Sequence, residues 1–238
     1  MKERILTPDE EMLRTVREIR ERVAQAAEKS GRREEDIAVM AVTKTVSPER
    51  INSAIGCGLT LLGENRVQEY LDKRNQYELE GCSVHFIGSL QTNKVKYIID
   101  KVDMIQSVNS LKLAKEIQKR ASGCGRVMDI LLEVNIGEEE SKSGVMPADL
   151  QELAKAVCEM PNLRLSGLMA IPPFDTTAEQ SRYYFSRMND LFLDMQAKKL
   201  DNSNVRVLSM GMSGDFETAI ECGSNLVRLG TILFGKRK

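Results

Sequence analysis

The sequence predicts a single α/β domain, a parallel (β/α)8 TIM-type barrel carrying an extra N-terminal helix, and three observations lead there. Eight short β-rich runs recur along the 238 residues, with helical periodicity between them. Several runs are apolar at consecutive positions instead of alternating, as strands buried on both faces require. No fixed-length repeat, low-complexity tract or Pro/Gly-rich linker divides the chain, so one domain over 1–238 suffices, with the helix at 8–30 and the barrel at 36–235. The competing arrangement is an open doubly wound sheet. Its dinucleotide form calls for G-x-G-x-x-G after the first strand, and AVTKTVSPER contains no glycine.

The first element is the added helix. Thr7 is a suitable N-cap, Pro8 suits the first helical position, and Glu10 completes a capping box. Met12, Val16, Ile19 and Val23 recur at helical spacing, and Lys29-Ser30-Gly31 supplies a stop. The first four runs are IAVMAVTK (37–44), TLLG (60–63), VHFIG (84–88) and MIQSV (104–108). The second four are MDILLEVN (128–135), LRLSGLMAI (163–171), VRVLSM (205–210) and LVRLGTILF (226–234). Between them Leu111, Ala114 and Ile117, then Leu150, Leu153, Ala154 and Val157, keep the helical period. The methionines form no stripe and read as core filler.

Hydrophobic residues make up 42% and charged residues 29%, and the net charge of −1 offers no footprint for nucleic acid or an anionic membrane. The cysteines at 57, 82, 124, 158 and 222 form no C-x-x-C pair and His85 is the sole histidine, which argues against a structural zinc site. Scattered thiols suit a reducing cytosol, and MKERILTPDEEM has no apolar signal region, so a cytoplasmic protein is expected.

A barrel builds its site at the C-terminal ends of its strands. Those ends supply Lys44, Glu64-Asn65-Arg66, His85, Ser107 and Asn109, Glu133 and Asn135, then Gly211-Met212-Ser213-Gly214-Asp215, and Arg228, Gly230 and Thr231. In SMGMSGDFETAI, glycines and Ser213 directly precede a helix expected from Asp215, which makes an anion site. The two-residue strand period places Arg228 and Gly230 on one face. A phosphate near Ser213, Gly230 and Thr231 would therefore lie close to a guanidinium. The plain alternative is that the glycines only make turns and Ser213 only caps a helix.

Lys44 carries the sharper question. Taken alone, a strand-end lysine is an ordinary boundary residue. Desolvation or a neighbouring cation frees such an amine for Schiff-base chemistry. With a phosphate site in the same mouth, two chemistries stand open: a Schiff-base aldolase acting on a sugar phosphate, and a pyridoxal phosphate site.

The stretches AVTKTVSPERI, LGENRVQEY, HFIGSLQTNKVK, IQSVNSLKLA, LLEVNIGEEESKSG, GLMAIPP, LSMGMSGDFETAI and VRLGTILFG resemble the YggS/PROSC family. These are the pyridoxal phosphate homeostasis proteins, whose fold is similar to the N-terminal barrel of alanine racemase. The resemblance spans nearly the whole chain beyond the first helix. It implies that pyridoxal 5'-phosphate (PLP) is held as a Schiff base on Lys44. It also implies that Ser213, Gly230 and Thr231 hold the phosphate, that Arg228 meets the pyridine nitrogen, and that Asn65 and Ser209 line the pocket with Met212 and His85 nearby. Lys142 matches a lysine proposed to act in cofactor transfer. A monomer is implied, with PLP-dependent apo-enzymes as recipients.

These residues suit a holder better than a catalyst. Arginine can only donate to the ring nitrogen, which makes the ring a poor electron sink. The chain ends at Phe234-Gly235-Lys236-Arg237-Lys238, just past the last strand, so the domain that gives alanine racemase its second base is expected to be missing. The expected function is therefore intracellular PLP homeostasis without substantial catalysis. The alternatives are a racemase-like enzyme of low activity and a barrel that serves only as an interaction module.

Overall fold

The computed structural model describes residues 7–235, so MKERIL and Lys236-Arg237-Lys238, on which two of these expectations draw, lie outside the described residues. The strands are β1 (Ala38–Val42), β2 (Leu61–Glu64), β3 (Ser83–Phe86), β4 (Met104–Val108), β5 (Met128–Val134), β6 (Leu163–Ala170), β7 (Ser203–Met212) and β8 (Leu226–Leu229). They close into one parallel barrel in sequence order, with β1 completing the ring against β8 through pairs such as Met40 with Arg228. The helices are α1 (Pro8–Lys29), α2 (Pro48–Gly56), α3 (Val67–Lys73), α4 (Val95–Ile98), α5 (Leu111–Gly123), α6 (Leu150–Cys158), α7 (Ala178–Ala197), α8 (Phe216–Glu221) and α9 (Thr231–Phe234).

α1 starts as its sequence dictates. The Thr7 hydroxyl accepts the Glu10 N–H and the Glu10 carboxylate accepts the Thr7 N–H, satisfying two helix-end donors at once. Met12, Val16, Ile19 and Val23 are buried against α2, α8 and α9, and each such side chain contributes ~1.5–3 kcal/mol of burial free energy. Arg22 fixes the outer edge through a fork to both oxygens of Glu217, at 3.0 and 2.8 Å.

The core has two zones. The larger lies between strands and helices, with Phe86, Ile105, Ile117, Phe185 and Phe216 among its buried members. The second fills the barrel lumen: Met40, Val42, Ile87 and Leu226 on one side, Met104, Leu131 and Met169 on the other. Met40, Met104 and Met169 come from three different strands, where unbranched side chains fill the taper of a small barrel.

Strand boundaries shift from the sequence runs at several places, such as β3 and β7, and two of the shifts bear on the site. β1 ends at Val42, and Lys44 sits beyond it in a turn closed by the Val46 N–H on the Thr43 carbonyl at 3.1 Å. β8 ends at Leu229 instead of running to 234, because Gly230 takes ψ −72° and starts the single helical turn of α9. The shared strand face for Arg228 and Gly230 is therefore wrong as geometry. The turn, not the strand period, carries Gly230 toward the mouth.

Candidate functional site

The C-terminal mouth of the barrel encloses a cavity of about 510 Å³, lined by Val42, Lys44, Asn65, Ile87, Ile171, Phe174, Met212, Ser213, Gly214, Arg228, Gly230 and Thr231. Of the residues singled out in the sequence, Lys44, Asn65, Met212, Ser213, Arg228, Gly230 and Thr231 meet there. Ser209 does not line the cavity. It is fully buried one layer deeper and reaches the mouth only through Arg228.

Arg228 is buried and strongly held. Its Nη1 donates to the Ser209 carbonyl at 2.8 Å and to Ser209 Oγ at 2.7 Å, and its Nη2 donates to the Ala170 carbonyl at 2.9 Å. Burial pushes its pKa down to about 10, against the opposing fields of Asp215 and Glu133, so it stays cationic at neutral pH. A guanidinium carries five N–H groups, and these bonds use three.

Behind Arg228 a chain of polar side chains crosses the lumen. Arginine can only donate, so Ser209 Oγ directs its own proton to Gln106 Oε1 at 2.7 Å. That turns Gln106 Nε2 toward His85 Nδ1 at 2.8 Å. An amide nitrogen only donates, so His85 accepts at Nδ1 and is a neutral ring protonated at Nε2. Burial pushes the His85 pKa down to about 4, in keeping with that role. His85 is a core residue below the cavity and does not line it. Gln106 escaped the sequence reading, which looked at the end of MIQSV; a glutamine inside an apolar run was the available signal.

The wall beside Arg228 is the segment after β7, whose Met212 pairs in register with Arg228. The Met212–Asp215 turn is closed twice: the Met212 N–H donates to Asp215 Oδ1 at 2.6 Å, and the Asp215 N–H donates to the Met212 carbonyl at 3.1 Å. Gly211 precedes it at φ +92°, and a Cβ there would stand 2.5 Å from the Ala219 Cβ, so only glycine lets the turn pack on α8. Ser213 Oγ accepts the N–H groups of Gly230 at 3.3 Å and Ile232 at 3.2 Å. Two donors thus converge on one oxygen beside Thr231.

Asn65 is set by backbone crowding. A Cβ on Gly88 would stand 2.0 Å from the Asn65 carbonyl oxygen, so the glycine of HFIG lets the segment just past β3 press against the Asn65 backbone. Asn65 Oδ1 is buried without a hydrogen-bond partner, an acceptor at the cavity wall left for something else to satisfy. Lys142 lies apart from the lining and pairs with Glu139 at 3.2 Å. Its neighbour Ser143 donates to Glu133 at 2.9 Å and accepts from Asn109 at 2.7 Å. Among the described residues no His/Cys/Asp/Glu group could hold a metal ion, and no helix is long and apolar enough to cross a membrane.

Residues 15–238 match the family described as the alanine racemase N-terminal domain. The pyridoxal phosphate homeostasis protein of Aquifex aeolicus (strain VF5) is 47% identical over 218 residues, covering 92% of this chain and 95% of that protein. A protein of unknown function from Bifidobacterium adolescentis superposes with a TM-score of 0.91 at 34% identity, covering 97% of this chain and 98% of its own. PipY of Synechococcus elongatus PCC7942, in a structure with PLP bound, superposes with a TM-score of 0.83 at 28% identity, covering 94% of this chain and all of its own at 100%.

Proposed function

The chain belongs to the pyridoxal phosphate homeostasis proteins, within the alanine racemase N-terminal-domain family, and from that premise we propose that it binds PLP reversibly at the barrel mouth and releases it for intracellular use. The observation that carries the reading is one cavity uniting an amine (Lys44), a buried cation (Arg228) and the Ser213 hydroxyl, on which the Gly230 and Ile232 N–H groups converge. PLP joins an aldehyde, a ring nitrogen and a phosphate, and these donors fit that set. The unpartnered Asn65 Oδ1 adds a polar wall, and Val42, Ile87 and Met212 offer apolar area to an aromatic ring.

When bound, the group supplies an aldehyde that an amine captures reversibly. Lys44 would provide that amine. Arg228 would donate one of its two remaining N–H groups to the ring nitrogen. Ser213, Gly230 and Thr231 would receive the phosphate, with the Ser213 hydroxyl donating its own proton while it accepts the Gly230 and Ile232 N–H groups. Ser209 would act from behind by fixing the Arg228 fork.

Holding without turnover is part of the proposal. Among the described residues lining the cavity, only Lys44 and Arg228 titrate, and a guanidinium accepts no proton. Proton transfer to and from a substrate carbon on both faces would therefore fall on Lys44 alone. The curated relative is named for homeostasis and not for a reaction. A cytoplasmic monomer that passes PLP to apo-enzymes completes the reading; the five cysteines are all free thiols, as a reducing compartment requires.

The test is the visible spectrum of the purified chain with added PLP, then borohydride reduction and mass spectrometry. A yellow protein with the reduced group on Lys44, and a colourless Lys44→Ala variant, are the expected results. An adduct that survives Lys44→Ala in this cavity would overturn the assignment. Stereospecific α-proton exchange of amino acids well above the rate of free PLP would overturn the holder and favour an enzyme.

A further inference from the structure

Lys44 is not on rigid strand. It occupies a turn whose next residue, Thr45, has φ +61°, the left-handed region that a β-branched residue enters only at a cost. Something must hold Thr45 there, and α3 supplies it. Glu69 Oε1 accepts the Thr45 N–H at 2.5 Å. Lys73, one helical turn on, donates to Glu69 at 2.7 Å and to the Val46 carbonyl at 2.9 Å. One ion pair therefore grips the turn twice, at an N–H and at a C=O. The pair is mostly shielded, with side-chain exposures of 16% for Glu69 and 23% for Lys73. Burial pushes the Glu69 carboxyl up, but the bonds from Lys73 and the Thr45 N–H outweigh it and hold the carboxyl below its ordinary range. On the other side of Lys44, Thr43 is tied to β2 by its N–H on the Gly63 carbonyl at 3.1 Å and its hydroxyl on Glu64 at 2.7 Å.

We propose that Glu69, braced by Lys73, is a positioning residue: it stabilises the left-handed Thr45 and so sets where the Lys44 amine stands at the barrel mouth. The fold gives this device a direct route to the site. α3 begins at Val67, two residues past Asn65, and β2 pairs directly with β1, so the helix that grips the Lys44 turn also continues from the neighbouring wall of the cavity. Without the carboxylate, Thr45 relaxes to an ordinary φ and the Lys44 backbone swings with it. The consequence for PLP rests on the binding proposed above, but the grip itself does not.

Two measurements separate these. Amide hydrogen exchange of Thr45, read by NMR on the chain without PLP, should be slow in the parent and fast in Glu69→Ala, with exchange in the barrel strands unchanged. Unchanged Thr45 exchange would overturn the grip, whatever the chain does with PLP. PLP titration should show Glu69→Ala weaker by about tenfold, the worth of one charge-assisted hydrogen bond. Adding Thr45→Gly to Glu69→Ala should recover most of that loss, because glycine adopts φ > 0 without the carboxylate. A variant that is merely destabilised through α3 would gain nothing from a glycine in the turn, and no recovery would overturn the positioning role. A parent chain that leaves Lys44 unmodified after borohydride would refute the PLP reading, while the exchange result would still decide the grip.

Discussion

Lowering the pH should destabilise this chain through His85, and the effect can be isolated because His85 is its sole histidine. Burial lowers the His85 pKa from the ordinary 6.5 to about 4, and the ring accepts from Gln106 at Nδ1, a bond that protonation removes. Between those two values the unfolded chain binds one more proton than the folded chain, so stability rises with pH across the window and falls as pH drops through it. A displacement from 6.5 to about 4 corresponds to roughly 3 kcal/mol at full development. The raw profile would mix this with carboxyls of opposite slope, since burial raises the pKa of Glu64, Glu133 and Asp215 in the folded state. The informative quantity is the difference from His85→Asn, whose Oδ1 can stand where Nδ1 accepts and which does not titrate. Losing the ring costs the variant stability at every pH, which cancels from the slope. Urea denaturation of both proteins from pH 7 down to about 4 should show the parent losing roughly 3 kcal/mol more than the variant. Parallel loss in the two proteins, or an NMR titration of the His85 ring near its ordinary value, would refute the reasoning.

Three further outcomes follow from the mouth. Gly88→Ala would place a Cβ 2.0 Å from the Asn65 carbonyl oxygen, and should cost about 1–3 kcal/mol in chemical denaturation while weakening PLP binding through a displaced Asn65. Ser209→Ala leaves Gln106 Oε1 without its donor and should cost about 1–3 kcal/mol, yet a reducible adduct on Lys44 should persist because Ser209 lies behind the cavity. Arg228→Leu should change the stability of the PLP-free chain by no more than about 1–2 kcal/mol, because removing a buried charge offsets the acceptors it strands; PLP titration should show the larger loss.

The barrel was legible because burial on both faces writes itself into a strand as consecutive apolar residues, and each run in the sequence became a strand. The ends were less so. LVRLGTILF is equally apolar whether its last residues extend the strand or coil into one helical turn, and only the Gly230 dihedrals separate the two. Lys44 showed the same ambiguity at the end of β1. Depth was the other hidden quantity. A two-residue period puts Ser209 and Arg228 on the inward face of their strands, but it does not say that one is stacked beneath the other. Glu69 lay still further from view: its meaning depends on the φ of Thr45, and nothing in the letters TKTV marks a threonine as left-handed.

The height of Arg228 in the lumen explains why the site holds a cation without a carboxylate partner. Methionine and leucine fill the barrel below it, so the guanidinium has lost most of its water. Its direct partners are neutral oxygens of Ser209 and Ala170, while Glu133 and Asp215 act only through their fields. A well-paired buried arginine would have its pKa raised; here desolvation wins and the value falls. The bonds of Arg228 to Ser209 and Ala170 use three of the five guanidinium N–H groups, so two remain on a side chain that lines the cavity, where in the proposed complex an acceptor on the bound ring would take one. A carboxylate in contact with Arg228 would compete for those two N–H groups. The Ser209–Gln106–His85 chain supplies rigidity in place of charge, fixing the fork without neutralising it.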